Sequence, residues 1–235
     1  MRAGIIGLPQ SGKKTIFRLI NRLRGEKELD LALHKEPVVV SITIRDERLE
    51  LLSRMFRSKR IVFLKMEYLL PVEIYSPVKG ERPIWSQVRI CDELIHVIRN
   101  FELAGEPPSS EEDFWRLEEE MILSDLLVVE KRLEKMKSDR KKGKKERDLE
   151  MEFELLHRCK GILEEGRPLR EYPELISEPM LKGFTFLTAK PMLLVINNEE
   201  DDIELPAWKR RPASLRMLPI RGRLEMELSG MEESE

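Results

Sequence analysis

A glycine-rich loop near the N-terminus restricts the fold of this chain more than any other segment. The loop reads GLPQSGKKT at residues 7–15 and satisfies the G-x-x-x-x-G-K pattern of phosphate-binding loops. A short apolar run at residues 3–6 precedes it, and a helical pattern follows at residues 14–24. A strand, a glycine-rich loop and a helix in this order are typical of P-loop proteins. The pattern therefore predicts a phosphate-binding loop in an α/β domain.

We expect this loop to present backbone N–H groups to phosphate oxygens, with the positive end of the helix behind them. The Lys13 ammonium would lie on the β- and γ-phosphates of a nucleotide. The predicted nucleotide contacts in this segment are Gln10, Ser11, Gly12, Lys13, Lys14 and Thr15. The alternative is an ordinary glycine turn with solvated lysines, but the strand before the loop and the helix after it favour phosphate binding.

Lys14 departs from the usual loop, in which a serine or threonine follows the lysine and binds magnesium. A protonated lysine has no lone pair for a metal ion. Thr15 lies one residue later, roughly 100° around the helix, and is a poor substitute. Two interpretations stay open. Lys14 brings a cation to the phosphates and replaces part of the metal's charge, or the magnesium site has been lost.

The rest of the chain alternates strand and helix patterns, except in its middle. Apolar runs typical of buried parallel strands occur at residues 3–6, 37–44, 61–70, 93–98, 191–196 and 215–220. Between residues 109 and 166 a heptad-like apolar seam and a charged segment around Gly143 instead predict an antiparallel helical hairpin. We therefore predict a discontinuous α/β domain with a mostly parallel sheet at 1–108 and 167–223, the hairpin at 109–166, and an acidic tail at 224–235.

Composition restricts the function less. The 235 residues include 42 basic and 44 acidic side chains, a balance that favours no particular partner. Cys91 and Cys159 occur without metal-ligand spacing and are expected to be buried thiols in a reducing compartment. No stretch approaches eighteen uncharged apolar residues, so we expect a soluble, cytoplasmic protein with no membrane partner.

Other charged features have plain explanations. A basic segment at residues 140–145 would suit RNA phosphates, but acidic neighbours favour a solvated hairpin tip. The histidines, His34, His96 and His157, are too scattered for a metal set, and His96 is expected to be a core residue. Glu118 and the two glutamates after it are expected to be solvated on a helix face.

Several segments, taken in order, resemble the Obg-like ATPase (YchF) family. The loop at 7–13 resembles the family's Gly-Leu-Pro-Asn-Val-Gly-Lys. Further similar segments are residues 46–49, 66–68, 93–102, 163–168 and 186–191, the last leading into Asn197. The resemblance covers nearly the whole chain, with gaps. It implies a Ras-like G domain that binds ATP in preference to GTP, hydrolyses it slowly and associates with ribosomes.

The resemblance also implies where the base is read. The family carries Asn-x-x-Glu after a buried strand and favours adenine, whereas Asn-x-x-Asp selects guanine. Here the sequence NNEED at residues 197–201 contains both spacings. Asn197 with Glu200 matches the family, while Asn198 with Asp201 matches the guanine pattern. We favour the first because Asn197 falls where the apolar strand ends, and we count Asn197, Asn198 and Glu200 as candidate contacts.

Several family elements are missing. Where the family has Asp-x-x-Gly after its third strand, this chain has Leu70 and Glu73, and residues 25–36 carry no recognisable first switch. The TGS module is also expected to be absent, because the sequence stops soon after Ile220. Since phosphoryl transfer depends on magnesium and positioning, we predict no catalytic or metal-binding residues and little hydrolysis.

Three hypotheses follow. The first is a degenerate Obg-like P-loop protein that binds ATP or GTP, with magnesium doubtful. The second is a slow ATPase or GTPase whose unusual residues compensate for the missing ones. The third is a non-catalytic scaffold that binds a ribosome, RNA or protein through the helical hairpin.

Overall fold

A six-stranded sheet forms the centre of the molecule. The computed structural model of the chain describes residues 1–22, 31, 36–72, 83–141, 147–212 and 215–231. The strands are β1 (Arg2–Ile6), β2 (Val38–Ile44), β3 (Leu64–Leu70), β4 (Glu93–Asn100), β5 (Met192–Asn198) and β6 (Arg216–Ile220). Their order across the sheet is β2-β3-β1-β4-β5-β6.

Most neighbouring strands run parallel. β1 pairs in parallel with β3 and β4, and β4, β5 and β6 continue in the same direction. β4 and β5 are almost continuously apolar and buried, as strands covered on both faces require. β2 lies at the edge and runs antiparallel to β3, with Val38 opposite Leu70. The mostly parallel sheet confirms the predicted α/β P-loop fold.

This topology gathers the ends of several strands at one edge. Because β1, β4, β5 and β6 are parallel, their carboxyl ends lie together. The glycine-rich loop follows β1, residues 101–103 follow β4, and Asn197 and Asn198 end β5. Segments far apart in sequence therefore meet beside the loop.

Helices surround the sheet. They are α1 (Lys13–Arg22), α2 (Glu47–Met55), α3 (Pro83–Val88), α4 (Ser110–Lys141), α5 (Arg147–Glu164), α6 (Pro173–Ile176) and α7 (Gly222–Leu228), with 3-10 turns at Leu169–Glu171 and Pro179–Phe184. Among the described residues, no helix is both long and apolar enough to cross a membrane.

Helix α7 occupies the region where the sequence predicted the start of an acidic tail. It packs against α1, and the Arg22 guanidinium donates to the Met226 carbonyl at 2.9 Å and to the Ser229 hydroxyl at 2.7 Å. Its N-terminus at Gly222 lies directly after β6, at the carboxyl edge of the sheet. These residues therefore belong to the packed domain and contribute to the site described below.

Helices α4 and α5 form a long pair with an apolar seam. The buried side chains of the seam include Val129, Leu133 and Met136 from α4 and Leu156 and Cys159 from α5. Arg132 and Glu152 form an ion pair at 2.7 Å across the two helices. The predicted turn at 142–146 lies outside the described residues, and the treatment of 109–166 as a separate module stays a prediction.

Buried charges attach the helical pair to the sheet domain. Asp125 on α4 is fully buried and accepts hydrogen bonds from the backbone N–H groups of Leu187 (3.0 Å) and Thr188 (2.8 Å). Arg89, just after α3, donates to the same carboxylate at 2.8 Å. Glu118, which we expected to be solvated, is buried and paired with Arg170. That expectation was wrong because the sequence does not show which face of α4 meets the domain.

Candidate functional site

An open groove of about 890 Å³ lies at the carboxyl edge of the sheet. Its walls are residues 9–10 and 12–15 of the loop and α1, residues 101–103 after β4, residues 197–200 at the end of β5, and residues 223, 226 and 227 of α7. A groove of this size is typical of small-molecule sites. Eight of the nine predicted nucleotide contacts line it. The exception is Ser11, which is buried below the loop surface.

The loop backbone has the shape that its glycines allow. Gly12 adopts a φ of 96°, a left-handed conformation that favours glycine. A Cβ atom at this position would lie 2.2 Å from the Asn197 side-chain nitrogen. Gln10 also has a positive φ, 64°. The loop therefore passes close to β5, and a larger residue at position 12 would push the two segments apart.

Lys13 lies under the loop. Its side chain is buried, with 4% of its surface exposed, and its Nζ donates to the Leu8 carbonyl at 2.9 Å. This bond turns the side chain back towards the loop. Lys13 also lines the groove, where a phosphate would bind. The position fits the predicted role of Lys13.

Asn197 joins the loop to two other segments. Its Nδ2 donates to the Ser11 carbonyl at 3.1 Å, and its Oδ1 accepts the Gly222 N–H at 2.9 Å. Asn197 is buried, so both bonds are protected from water. One side chain at the end of β5 thus fixes the phosphate loop and the start of α7 relative to each other.

The two candidate base-reading pairs differ in position. Asn198 is buried, accepts from Asn100 at 3.0 Å and donates to the carbonyl of Glu204 at 2.7 Å. Glu200 lines the groove and pairs with Arg223 at 2.9 Å, whereas Asp201 is not part of the lining. Of the two candidate base-reading carboxylates, the one that lines the groove is therefore Glu200, which is in register with Asn197.

Lys14 reaches a different segment from Lys13. Its Nζ donates to the Leu31 carbonyl at 3.0 Å. Lys14 also lines the groove. Leu31 is fully buried in the core beside Val40 and Leu70. Thr15, the next residue, also lines the groove.

The described residues do not fit a magnesium site of the usual P-loop kind. Position 14 holds an ammonium, which repels a metal ion, and Leu70, at the end of β3, is a buried apolar residue. No group of three or more histidine, cysteine or acidic side chains is placed to hold a metal within the described ranges. Glu73, and most of residues 25–36 apart from Leu31 and Glu36, lie outside those ranges.

The chain just after β3 is fastened to α3. The Gln87 side chain accepts from the Val72 N–H at 2.8 Å and donates to the Val72 carbonyl at 3.2 Å. Val72 itself is buried. Both backbone groups of this residue are therefore held by the protein, within the segment where the resemblance implies Asp-x-x-Gly.

Sequence reasoning missed two parts of the groove. Phe101, Glu102 and Leu103 follow β4, and Arg223 and Met226 come from α7. The first part was open to prediction, because residues that follow a parallel strand share the edge with the loop. The α7 part of the groove was not predicted, because the acidic composition of residues 224–235 is typical of a solvated tail.

His96 lies behind the loop on β4, opposite Ile6 in the sheet. It is 1% exposed and packs on Phe114 with ring centroids 5.8 Å apart. Burial, together with the positive charges of Arg170 and Lys13, lowers the pKa of His96 from 6.5 to about 3. His96 is therefore a neutral core residue near neutral pH, as its strand position predicted.

Comparison with known proteins identifies relatives along the full chain. The Ribosome-binding ATPase YchF of Bacillus subtilis (strain 168) is 28% identical over 259 residues, which cover 100% of this chain and 69% of the relative. Obg-like ATPase 1 of Oryza sativa subsp. indica is 26% identical, covering 100% and 64%. Obg-like ATPase 1 of Caenorhabditis elegans is 27% identical, covering 100% and 64%. The chain thus spans about two thirds of the length of these relatives.

A solved structure agrees on the fold. The Schizosaccharomyces pombe YchF GTPase superposes with a TM-score of 0.72 at 21% identity, covering 100% of this chain and 68% of that one. No family model matches the chain. The full-length matches nevertheless confirm the resemblance predicted from the residues. The chain is therefore similar along its full length to the Obg-like ATPase (YchF) family of P-loop proteins.

Proposed function

We propose that this protein binds a purine nucleotide in the groove at the carboxyl edge of the sheet, with its phosphates on the loop and its base near Glu200. One observation carries the proposal. Asn197 joins the phosphate loop to α7, so that Lys13 and Glu200 line the same groove. The relatives carry ATPase in their names, and this supports a nucleotide as the ligand.

Adenine is the base that we expect. Its exocyclic amine is a hydrogen-bond donor, and Glu200 places a carboxylate acceptor in the groove. The competing guanine pair is less suitable, since Asp201 lies outside the lining of the groove. ATP should therefore bind more tightly than GTP.

Hydrolysis should be slow or absent. Efficient phosphoryl transfer needs a metal ion and a segment that closes on the γ-phosphate. Leu70 supplies no carboxylate, and the Gln87 bonds hold Val72 in place without nucleotide. The protein therefore acts as a nucleotide-binding module in the cytoplasm, where its ribosome-binding relatives have their partner.

A titration of ATP and GTP into the purified protein tests the proposal. Wild type should show saturable binding with ATP preferred, and Lys13→Ala should weaken ATP binding on the order of 10- to 100-fold, the cost of one charged phosphate contact. Lys65→Ala, which removes a lysine on β3 outside the groove, is the control and should bind as wild type. No saturable binding by wild type would reject the proposal.

A second pair of variants tests the base. Glu200→Ala should reduce the preference for ATP over GTP, whereas Asp201→Ala should not. If Asp201→Ala alone changed the preference, the base would be read by Asn198 and Asp201 instead.

A ribosome is the macromolecular partner that we propose, because several relatives are named ribosome-binding ATPases. The pair of α4 and α5 suits such a role, since Asp125 fixes α4 to the domain. Co-sedimentation with purified ribosomes tests this proposal. Neutralising the basic residues at 140–145 should reduce the bound fraction, and unchanged binding would exclude that segment as the contact.

A further inference from the structure

We propose that the Lys14 ammonium takes the place of the magnesium ion that P-loop proteins hold beside the phosphates, so that this protein binds its nucleotide without a divalent cation. The inference rests on the proposed nucleotide-binding function and concerns how the same groove neutralises phosphate charge. Three features carry it: the position of Lys14, its hydrogen-bond partner, and the side chains at the usual metal-binding positions.

Lys14 stands at the position from which P-loop proteins bind their metal. It directly follows Lys13 at the start of α1, and its side chain lines the groove. In P-loop proteins the side chain at this position binds the metal beside the phosphates. The long side chain of Lys14 reaches the Leu31 carbonyl instead.

The partner of Lys14 is a fixed oxygen. Nζ donates to the Leu31 carbonyl at 3.0 Å, although the two residues are 17 positions apart in the chain. Leu31 is fully buried in the cluster that contains Ile5, Phe17 and Val40, so its carbonyl is anchored by the core. The ammonium is therefore held by a core carbonyl, on a residue that lines the groove.

The chemistry of an ammonium suits this place. Magnesium joins the two sides of a P-loop site by binding oxygen atoms from each. A lysine ammonium has three donors and no acceptor, so it can also bind a carbonyl oxygen on one side and phosphate oxygens on the other. It carries one positive charge and remains attached to the protein, which removes the need to capture an ion from solution.

Magnesium would add little to the affinity for nucleotide in this groove. The ammonium would repel a divalent ion placed beside it. Leu70 offers no carboxylate to hold the metal's water shell, and the described residues contain no cluster of metal ligands. Added magnesium should therefore fail to strengthen binding through the protein.

The test measures the dissociation constant of ATP in EDTA and in excess magnesium, by calorimetry, for wild type and position-14 variants. For wild type the two constants should agree within about threefold. Lys14→Met keeps the chain length but removes the charge, and it should weaken binding in EDTA on the order of 10- to 100-fold. Lys14→Arg keeps the charge and should retain most of the affinity.

Circular dichroism and the melting temperature of each variant show whether it is folded, and Lys65→Met controls for the loss of one lysine outside the groove. Tenfold tighter wild-type binding with magnesium would overturn the inference while leaving nucleotide binding intact. Folded Lys14→Met that binds as wild type in EDTA would overturn it too. Failure of wild type to bind in either buffer would reject the proposed function itself.

Discussion

A neutral histidine lies under the phosphate loop, and it makes stability depend on pH. The pKa of His96 falls from 6.5 to about 3 on folding, first because the ring is buried and then because Arg170 and Lys13 are positive. Between these values the unfolded chain binds a proton that the folded chain does not. The contribution of the neutral His96 ring to the free energy of unfolding is therefore complete above pH 6.5 and is lost as the pH falls towards 3.

Replacing this ring tests that account. His96→Phe should keep the stacking on Phe114 and remove the titration. The wild type should lose about 1–2 kcal/mol more of its unfolding free energy than this variant between pH 7 and pH 5. Urea denaturation at both pH values measures the difference. His157→Phe, at an exposed position, is the matched control and should follow wild type; parallel pH curves for wild type and His96→Phe would contradict the account.

Single residues were predicted with uneven success. The places of Lys13 and Asn197 in the groove were accessible from the sequence, because they depend on a strand–loop–helix order and on a strand end. Glu118 was not, because its burial depends on which face of α4 meets the domain. The bond from Lys14 to Leu31 was also inaccessible, since it joins residues whose proximity arises only from folding.

Among the elements, α4 is attached to the domain in part through the buried carboxylate of Asp125. Asp125 accepts from Arg89, Leu187 and Thr188, and removing it would leave the buried N–H groups of Leu187 and Thr188 without this acceptor and Arg89 without its carboxylate. Asp125→Ala should lower the unfolding free energy by about 3–5 kcal/mol. Urea denaturation measures the change.

A second acidic residue on α4 provides the control. Glu130 pairs with Lys160 at 2.8 Å, but both side chains are substantially exposed. Glu130→Ala should therefore cost less than about 1 kcal/mol. Equal losses for the Asp125 and Glu130 variants would show that the buried network does not anchor the helix.

Elements with strong local patterns were predictable, and those defined by tertiary contact were not. The apolar runs of β4 and β5 and the seam of α4 and α5 carry their own periodicity. The antiparallel direction of β2 has no such signature, because its apolar residues would suit either direction. The sequence did not predict helix α7, because its acidic side chains are typical of a solvated tail and give no sign of its contacts with α1.

At the scale of the whole molecule, the parallel sheet explains why one groove exists at all. Five parallel strands, β1 and β3 to β6, end at one edge, and this edge brings the loop after β1 beside Asn197 and α7. The family resemblance predicted this arrangement, and the full-length matches to YchF and Obg-like ATPases support it. Lys14 lies in this groove, whereas Leu70 belongs to the core of the same sheet.

Hydrogen exchange on the intact protein tests the central claim most directly, because it locates the nucleotide as well as detecting it. Addition of ATP should slow amide exchange at residues 8–15 and 197–200, which line or support the groove. Helix α2, which buries none of its residues, should exchange as before. Unchanged exchange at residues 8–15 under saturating ATP would contradict the assignment of this groove as the nucleotide site.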